Sequence, residues 1–287
     1  MQHALACAIG AVAAAIAVAV APLIAAAAGD APTPAGANGA AAECAAPDAL
    51  IAIGPSLNHL AGRLARHQPL TIVAFGSSST EGIGASAPSL AYPSRFEAEL
   101  RARFPDAAIR VLNRGKGGEE APQMLARIET DVVAEHPDLV VWQVGTNAVL
   151  RHDEVGFEEA VVESGLARLK ASGTDVVLMD MQYAPRVIGR PGHAAMERLL
   201  ADVAKRDRVG LFRRYALMQH WQKARPDGAR MVGPDGLHMN DRGYGCLAAE
   251  LAEAVADNWR RQQKPAASAS QLAHYAKPAA PGPASAP

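Results

Sequence analysis

The chain has 287 residues, a formal net charge of −1 and no long run of Lys and Arg. Nucleic-acid binding needs clustered basic side chains that neutralise phosphates, so this charge pattern argues against nucleic acid as the main partner. Roughly 220 residues lie between two Ala-, Pro- and Gly-rich ends, which fits one α/β domain better than two. We predict a domain over residues 44–262, a linker over 29–43 and a disordered tail over 263–287.

The N-terminal segment predicts export. Residues 1–28 contain no Asp, Glu, Lys or Arg and end in four alanines before Gly29. Such a run predicts a secretory signal that is cleaved near Ala28, and therefore a periplasmic or secreted protein. The run is also long enough to span a bilayer, so an uncleaved membrane anchor is the alternative. We favour cleavage because alanine is only weakly apolar and Pro22 interrupts the run.

Two cysteines remain once a signal is removed, Cys44 and Cys246. In an oxidising compartment, two thiols at opposite ends of a domain are candidates for a disulfide. The alternative is two separate buried thiols, which are common in protein cores. We predict the disulfide.

Short apolar runs alternate with helical patterns through the domain. The apolar runs predict strands at 70–75, 108–112, 139–144, 175–179 and 209–212. Apolar residues recur at intervals of three and four between them, which predicts helices at 94–104, 121–136, 154–172 and 192–207. This alternation predicts a doubly wound α/β sandwich with a five-stranded, mostly parallel sheet. In such folds ligands bind beyond the carboxyl ends of the strands, so the site should lie in the loops that begin at residues 76, 113, 145 and 180.

The loop after the first predicted strand, residues 76–82, reads GSSSTEG. A hydroxyl at the end of a buried strand, on a turn opened by glycine, is well placed for nucleophilic attack. The alternative is a Ser-rich turn whose hydroxyls only bind nearby backbone groups. A phosphate-binding loop would need Lys after Gly82, and the dinucleotide fingerprint would need another glycine spacing, so neither is indicated.

A base for that hydroxyl is available near the C-terminal end of the domain. Asp235 and His238 lie three residues apart in one turn. A carboxylate at that spacing can fix the imidazole tautomer and stabilise the imidazolium that forms during catalysis. A solvated Pro-Asp-Gly turn is the alternative. The other histidines show no paired metal-ligand spacing, so we predict no metal site.

The second and third predicted strands end in loops that carry hydrogen-bond donors. Residues 113–119 read NRGKGGE and residues 145–147 read GTN. Acyl transfer builds negative charge on a carbonyl oxygen, and a glycine N–H and the amide of Asn147 could stabilise it. Loop geometry is the alternative, because Gly and Asn tolerate positive φ.

These four motifs, in this order and each at the expected place relative to the strands, resemble the sequence blocks of the SGNH hydrolases, the GDSL-like esterase group. The resemblance covers about residues 70–250. It implies a flavodoxin-like three-layer α/β/α sandwich and a serine esterase that needs no metal or cofactor.

Residue by residue, the resemblance implies a catalytic triad and an oxyanion hole. Ser78 falls on the nucleophile, and Asp235 and His238 complete the triad. Ser78, Gly118 and Asn147 fall on the oxyanion hole. Ser77 and Ala148 depart from the family pattern, which usually has Asp at both positions, and neither of these is the triad carboxylate.

The predicted activity is hydrolysis of a carboxylic ester, with a short acyl or O-acetyl group, on a small molecule, a glycan or a lipid. Two alternatives stay open: an acyltransferase that passes an acyl group to an envelope sugar, and a non-catalytic carbohydrate-binding module. Ser77 and Ser79 are alternative nucleophiles. The loop over 181–186 is either a pocket wall or a packed connector. We expect a monomer.

Overall fold

The computed structural model describes residues 44–151, 155–224 and 231–263. The predicted signal and linker, and residues 264–287 of the predicted tail, lie outside the described residues. No helix among the described residues is both long and apolar enough to span a bilayer.

The strands form one parallel sheet in the order β2-β1-β3-β4-β5. The five strands are β1 (Leu70–Gly76), β2 (Ile109–Gly115), β3 (Leu139–Gln143), β4 (Asp175–Met179) and β5 (Gly210–Phe212). β1 lies inside the sheet, where Leu70 pairs with Ile109 and Ile72 with Leu139. The α/β class and the five strands are therefore confirmed, and every strand pair in the described chain is parallel.

Helices fill the connections between the strands. They are α1 (Asp48–Ile51), α2 (Asn58–Ala65), α3 (Ser78–Glu81), α4 (Tyr92–Arg103), α5 (Ala121–Ala126), α6 (Ile128–Asp131), α7 (Thr146–Arg151), α8 (Gly156–Ala171), α9 (Pro185–Ile188), α10 (His193–Asp207), α11 (Arg214–Ala224) and α12 (Asp241–Gln263), with 3₁₀ turns at Pro88–Leu90 and Val133–Glu135.

The prediction of one helix over residues 121–136 was wrong. The segment divides into α5, α6 and a 3₁₀ turn, with breaks at Arg127 and Val132. Arg127 turns its side chain into the protein, where the guanidinium donates to the carbonyl oxygens of Gly76 and Arg114. Tertiary contacts of this kind override a regular helical repeat.

Two apolar layers cover the two faces of the sheet. Along β1, Ile72 and Ala74 belong to one buried cluster, and Val73 and Phe75 belong to the other. This alternation is the period of two of a strand that is buried on both faces. Helices α2, α4, α11 and α12 contribute to the first cluster, and α5, α6, α8 and α10 to the second. The three-layer α/β/α sandwich is thus confirmed.

A disulfide joins Cys44, at the start of the described chain, to Cys246 in α12. The two sulfurs lie 1.97 Å apart, and the two residues are separated by 202 positions in the sequence. Trp221 reinforces this corner, because its indole N–H donates to the Cys44 carbonyl oxygen at 2.7 Å. The first described residues are therefore fastened to the last helix.

Candidate active site

The site lies at the carboxyl edge of the sheet, where consecutive connections meet. Ser78 is the first residue of α3, directly after β1. Gly118 lies in the loop after β2, and Asn147 lies in α7, which begins just after β3. Asp235 and His238 lie in the loop that precedes α12.

Ser78, His238 and Asp235 form a continuous hydrogen-bonded chain. The Ser78 Oγ lies 2.8 Å from His238 Nε2, and His238 Nδ1 lies 2.5 Å from Asp235 Oδ2. The imidazole is largely shielded from solvent, whereas the Asp235 side chain is 42% exposed. This arrangement gives a serine hydroxyl, a base and a carboxylate in line.

The other oxygen of Asp235 fixes the carboxylate within its own turn. Asp235 Oδ1 accepts hydrogen bonds from the N–H groups of Leu237 and His238, each at 3.0 Å. Partial burial favours the protonated carboxyl, but these N–H groups and the His238 side chain outweigh it and hold the pKa of Asp235 below its usual range. Asp235 is therefore ionised at neutral pH.

The three consecutive serines have different environments. Ser78 Oγ contacts the imidazole, whereas Ser77 and Ser79 are buried, with 2% and 1% of their surface exposed. The Ser77 hydroxyl donates to Gln143 Oε1 at 3.0 Å. Of the three hydroxyls, the structure brings Ser78 to His238.

Gln143, the last residue of β3, organises the turn that carries Ser78. Its Oε1 accepts the Ser77 N–H at 2.9 Å, the Ser77 hydroxyl at 3.0 Å and the Thr80 hydroxyl at 3.3 Å. Gly76 leaves room for this cluster, since a Cβ there would lie 2.3 Å from Thr80 Oγ1. The buried amide oxygen therefore determines the path of the chain into α3.

The predicted oxyanion donors Gly118 and Asn147 belong to the connections that follow β2 and β3. Gly118 is exposed and adopts a φ of +78°, which favours glycine. A Cβ at the neighbouring Gly117 would lie 3.8 Å from the Ser78 Cβ, so this loop passes beside the serine. Asn147 Nδ2 donates to the Glu119 carbonyl oxygen at 2.8 Å, and a primary amide has a second hydrogen available for a ligand.

Arg127 connects the loop after β2 with the end of β1. Its guanidinium pairs with the Glu119 carboxylate at 2.7 Å and donates to the Gly76 carbonyl oxygen at 3.2 Å. It also lies over the Phe75 ring, 4.5 Å from the ring centroid. The Glu119 carbonyl oxygen accepts from Asn147, so Arg127 links the end of β1 to the loop residue that Asn147 contacts.

The two departures from the family pattern have different surroundings. Ser77 is hydrogen-bonded to Gln143, as described above. Ala148 is 1% exposed and belongs to the apolar cluster that contains Val149. An aspartate at position 148 would place a carboxylate in that apolar layer.

The loop over residues 181–186 packs as a connector next to the Asp235–His238 turn. Met181 and Ala184 are fully buried. The N–H of Arg186 donates to the Gly236 carbonyl oxygen at 3.0 Å. Gln182 is also buried, with both ends of its side-chain amide hydrogen-bonded.

Sequence reasoning did not identify Gln143 or Arg127, and it named Gln182 only as part of the loop over 181–186. A polar residue within the apolar run of β3 was the available signal for Gln143. Neither Arg127 nor Gln182 stands out in this way. Arg127 pairs with the nearby Glu119 and Asp131 but reaches the Gly76 carbonyl oxygen only through the fold, and the partners of Gln182 lie 32 to 55 positions away. Within the described ranges, no group of three or more His, Cys, Asp or Glu side chains is arranged to hold a metal ion.

A three-layer sandwich with this serine after the first strand and this Asp–His turn before the last helix defines an SGNH-type protein of the GDSL-like esterase superfamily. The family model of the non-GDSL lipase-like family matches residues 43–261, and the chain belongs to that family. The resemblance seen in the sequence motifs is thereby confirmed.

The chain is also similar to proteins described as esterases. An acetylxylan esterase from Geobacillus stearothermophilus is 34% identical over 88 residues, which are 30% of this chain and 40% of the relative. A two-domain esterase active on acetylated mannans has a similar structure, with a TM-score of 0.61 and 21% identity over 74% of this chain and 56% of its own. A catalytic mutant of an acetylxylan esterase from Geobacillus stearothermophilus gives a TM-score of 0.55 and 20% identity over 66% of this chain and 95% of its own.

The first two matches cover only part of the related proteins. The matched regions cover 40% of the curated relative and 56% of the two-domain esterase. At identities of 20% and 21%, the structural similarities establish the fold.

Proposed function

We propose that this protein is an exported serine esterase that removes short acyl groups, foremost O-acetyl groups, from a carbohydrate. The observation that carries the proposal is the hydrogen-bonded chain from Ser78 through His238 to Asp235. The carbohydrate substrate is supported by the two similar proteins whose names record activity on acetylated xylan and acetylated mannan. Export is supported by the predicted signal.

In the first half-reaction, Ser78 Oγ attacks the ester carbonyl carbon while His238 Nε2 takes the hydroxyl proton. Asp235 keeps the other ring nitrogen protonated and stabilises the imidazolium. His238 then protonates the departing sugar oxygen, which leaves an acyl group on Ser78. In the second half-reaction, water attacks the acyl-serine with His238 as base, and the acid is released.

The oxyanion of both tetrahedral intermediates is assigned to the N–H groups of Ser78 and Gly118 and to Asn147 Nδ2. The N–H of Ser78 opens α3, and the first N–H groups of a helix have no acceptor within it. Loss of one such donor raises the barrier by about 3–4 kcal/mol, so Asn147→Ala should lower kcat by roughly 10²–10³-fold.

Labelling by a fluorophosphonate probe tests the assignment of the nucleophile. The wild-type protein should be labelled, and Ser78→Ala should not be. Ser77→Ala and Ser79→Ala are the matched controls, because each removes a neighbouring hydroxyl that does not contact His238, and both should keep the label. If the wild-type protein takes no label and cleaves no p-nitrophenyl ester, the proposal is contradicted. That result is the one expected of a non-catalytic carbohydrate-binding module.

Substrate class is tested with acyl chains of increasing length and with acetylated polysaccharides. We expect p-nitrophenyl acetate to be cleaved faster than the octanoate, and acetylated xylan or mannan to release acetate. An added sugar acceptor separates hydrolysis from transfer. Free acetate supports the esterase, whereas acetylation of the acceptor without free acetate would assign the site to an acyltransferase.

A further inference from the structure

The buried amide of Gln182, just after β4, contacts two separate parts of the site. Its Oε1 accepts the Thr146 hydroxyl at 2.9 Å, and its Nε2 donates to the Leu237 carbonyl oxygen at 3.3 Å. Thr146 directly precedes Asn147, and Leu237 lies between Asp235 and His238. One side chain therefore joins the residue next to a proposed oxyanion donor to the turn that carries Asp235 and His238.

Arg214 determines which way this amide faces. The Arg214 Nη2 donates to Gln182 Oε1 at 2.9 Å, and an arginine has no acceptor, so the amide oxygen must face it. The Gln182 Nε2 must then face the Leu237 carbonyl, which can only accept. Arg214 is itself held by the Asp180 carbonyl oxygen, to which its Nε donates at 3.0 Å.

Leu237 is consequently held from both sides of its backbone. Its N–H donates to Asp235 Oδ1 at 3.0 Å, and its carbonyl oxygen accepts from Gln182. The peptide next to His238 therefore has little freedom to shift. Gln182 and Arg214 are both buried, with 1% and 0% of their surface exposed. A buried charge such as that of Arg214 contributes little net stability compared with an apolar side chain of similar size, so the pair points to a role other than stability.

We propose that Gln182 is a positioning residue which, oriented by Arg214, sets the Asp235–His238 turn and Asn147 in register with each other. The proposal rests on the proposed esterase function for its kinetic consequences, but its structural consequence can be measured without substrate. Gln182 touches no reacting atom. It acts through the backbone of Leu237 and through Thr146.

Gln182→Met keeps the length of the side chain and removes all three hydrogen bonds. We expect kcat for p-nitrophenyl acetate to fall by about 10–100-fold with KM within about threefold, because alignment rather than binding is lost. In hydrogen–deuterium exchange without substrate, peptides covering residues 231–241 and 145–151 should exchange about tenfold faster.

Gln182→Glu separates the two arms. A carboxylate still accepts from Thr146 and Arg214 but cannot donate to Leu237. Exchange in residues 145–151 should return to the wild-type rate while residues 231–241 stay fast, and kcat should lie between those of the wild type and Gln182→Met.

Two threonines provide a matched pair that keeps the test decisive if Gln182→Met does not fold. Both threonines are buried, and each donates one hydroxyl hydrogen bond. Thr146 donates to Gln182 Oε1 at 2.9 Å, and Thr174 donates to the Pro137 carbonyl oxygen at 2.7 Å. Thr174 lies at the opposite end of the sheet, just before β4. Thr146→Val should lower kcat by about 3–10-fold, whereas Thr174→Val should keep kcat within twofold.

Two results would overturn the proposal. One is a folded Gln182→Met with wild-type kcat and wild-type exchange in both peptides. The other is an equal loss of kcat in Thr146→Val and Thr174→Val. A wild-type protein that is inactive, while exchange in Gln182→Met still rises in both peptides, would refute the esterase function and leave the positioning role standing.

Discussion

Asp235→Asn is the substitution whose effect can be worked out most fully from the hydrogen bonds. Two N–H groups, of Leu237 and His238, point at Asp235 Oδ1 from 3.0 Å. An asparagine must place its amide oxygen there, because its NH₂ group cannot accept. The NH₂ group then faces His238 Nδ1 and donates to it.

That donation forces the wrong tautomer. With Nδ1 accepting, the ring proton moves to Nε2, which lies 2.8 Å from Ser78 Oγ in the wild-type protein. A protonated Nε2 cannot take the serine proton. We expect kcat to fall by about 10⁴-fold, which corresponds to about 5.5 kcal/mol in barrier height.

The assay measures kcat for p-nitrophenyl acetate and the rate of fluorophosphonate labelling. Asp235→Ala should lose a similar factor, on the order of 10⁴, so the near-isosteric asparagine should offer no rescue. Asp241→Asn is the matched control, because the Asp241 carboxylate also holds a backbone N–H, that of Ser86 at 2.8 Å, without contacting the imidazole. We expect the control to stay within twofold of the wild type. An Asp235→Asn variant that keeps more than a tenth of the wild-type kcat would refute the reasoning.

Three further predictions concern stability. Burial, with Glu253 adding to it, raises the pKa of Glu250 from 4.5 to about 7, so its contribution to folding stability is complete below pH 4.5 and is lost as the pH rises through 7. Glu250→Gln should therefore gain about 1–2 kcal/mol over the wild type at pH 8, after allowance for solvent screening, and nothing at pH 4. Glu253→Gln is the control in the same urea titrations: its carboxylate pairs with Arg103 and Arg260, so its removal should show no gain at pH 8. A Cβ at Gly115 would lie 2.0 Å from the Glu81 backbone nitrogen, so Gly115→Ala should lower the free energy of unfolding by about 3 kcal/mol and remove most activity. Gly156→Ala is the control: a Cβ there has open space around it, so this variant should be neutral or slightly stabilising in urea unfolding. The double substitution Cys44→Ser/Cys246→Ser opens a loop closed across 202 positions and should cost up to about 5 kcal/mol, and a reductant should lower the melting temperature of the wild type but not of this variant.

The strands were predictable because burial on both faces leaves a local signal. β4 was placed at its observed bounds, and β1 and β3 within one residue of theirs, since short apolar runs rich in Val and Ile are typical of a parallel sheet that is buried on both faces. β2 is the exception. It lies at the sheet edge and continues three residues past its predicted end, to Gly115, through two polar residues. The polar residues at the end of β2 carry no apolar signal, so its end was harder to predict, whereas β5 at the other edge was placed within one residue of its observed start.

The candidate site could be located from the sequence, but its support could not. A polar or glycine-rich loop directly after a buried strand marks the carboxyl edge of the sheet, and Ser78, Gly118 and Asn147 follow three strands at that edge. Gln182 meets Arg214, Thr146 and Leu237 only through the fold, across 32 to 55 positions of sequence. Hydrogen bonds between such distant residues leave no periodic pattern.

The departure at position 77 shows why a family motif cannot be restored one residue at a time. The Ser77 hydroxyl and N–H both donate to Gln143 Oε1. In Ser77→Asp a carboxylate would face that oxygen, so the amide of Gln143 would have to turn and leave the N–H of residue 77 and the Thr80 hydroxyl without their acceptor. Although Ser77→Asp moves the sequence towards the family pattern, we expect it to lower both the melting temperature and kcat for p-nitrophenyl acetate. A Ser77→Asp variant with at least wild-type kcat would show that Gln143 does not hold the turn that carries Ser78.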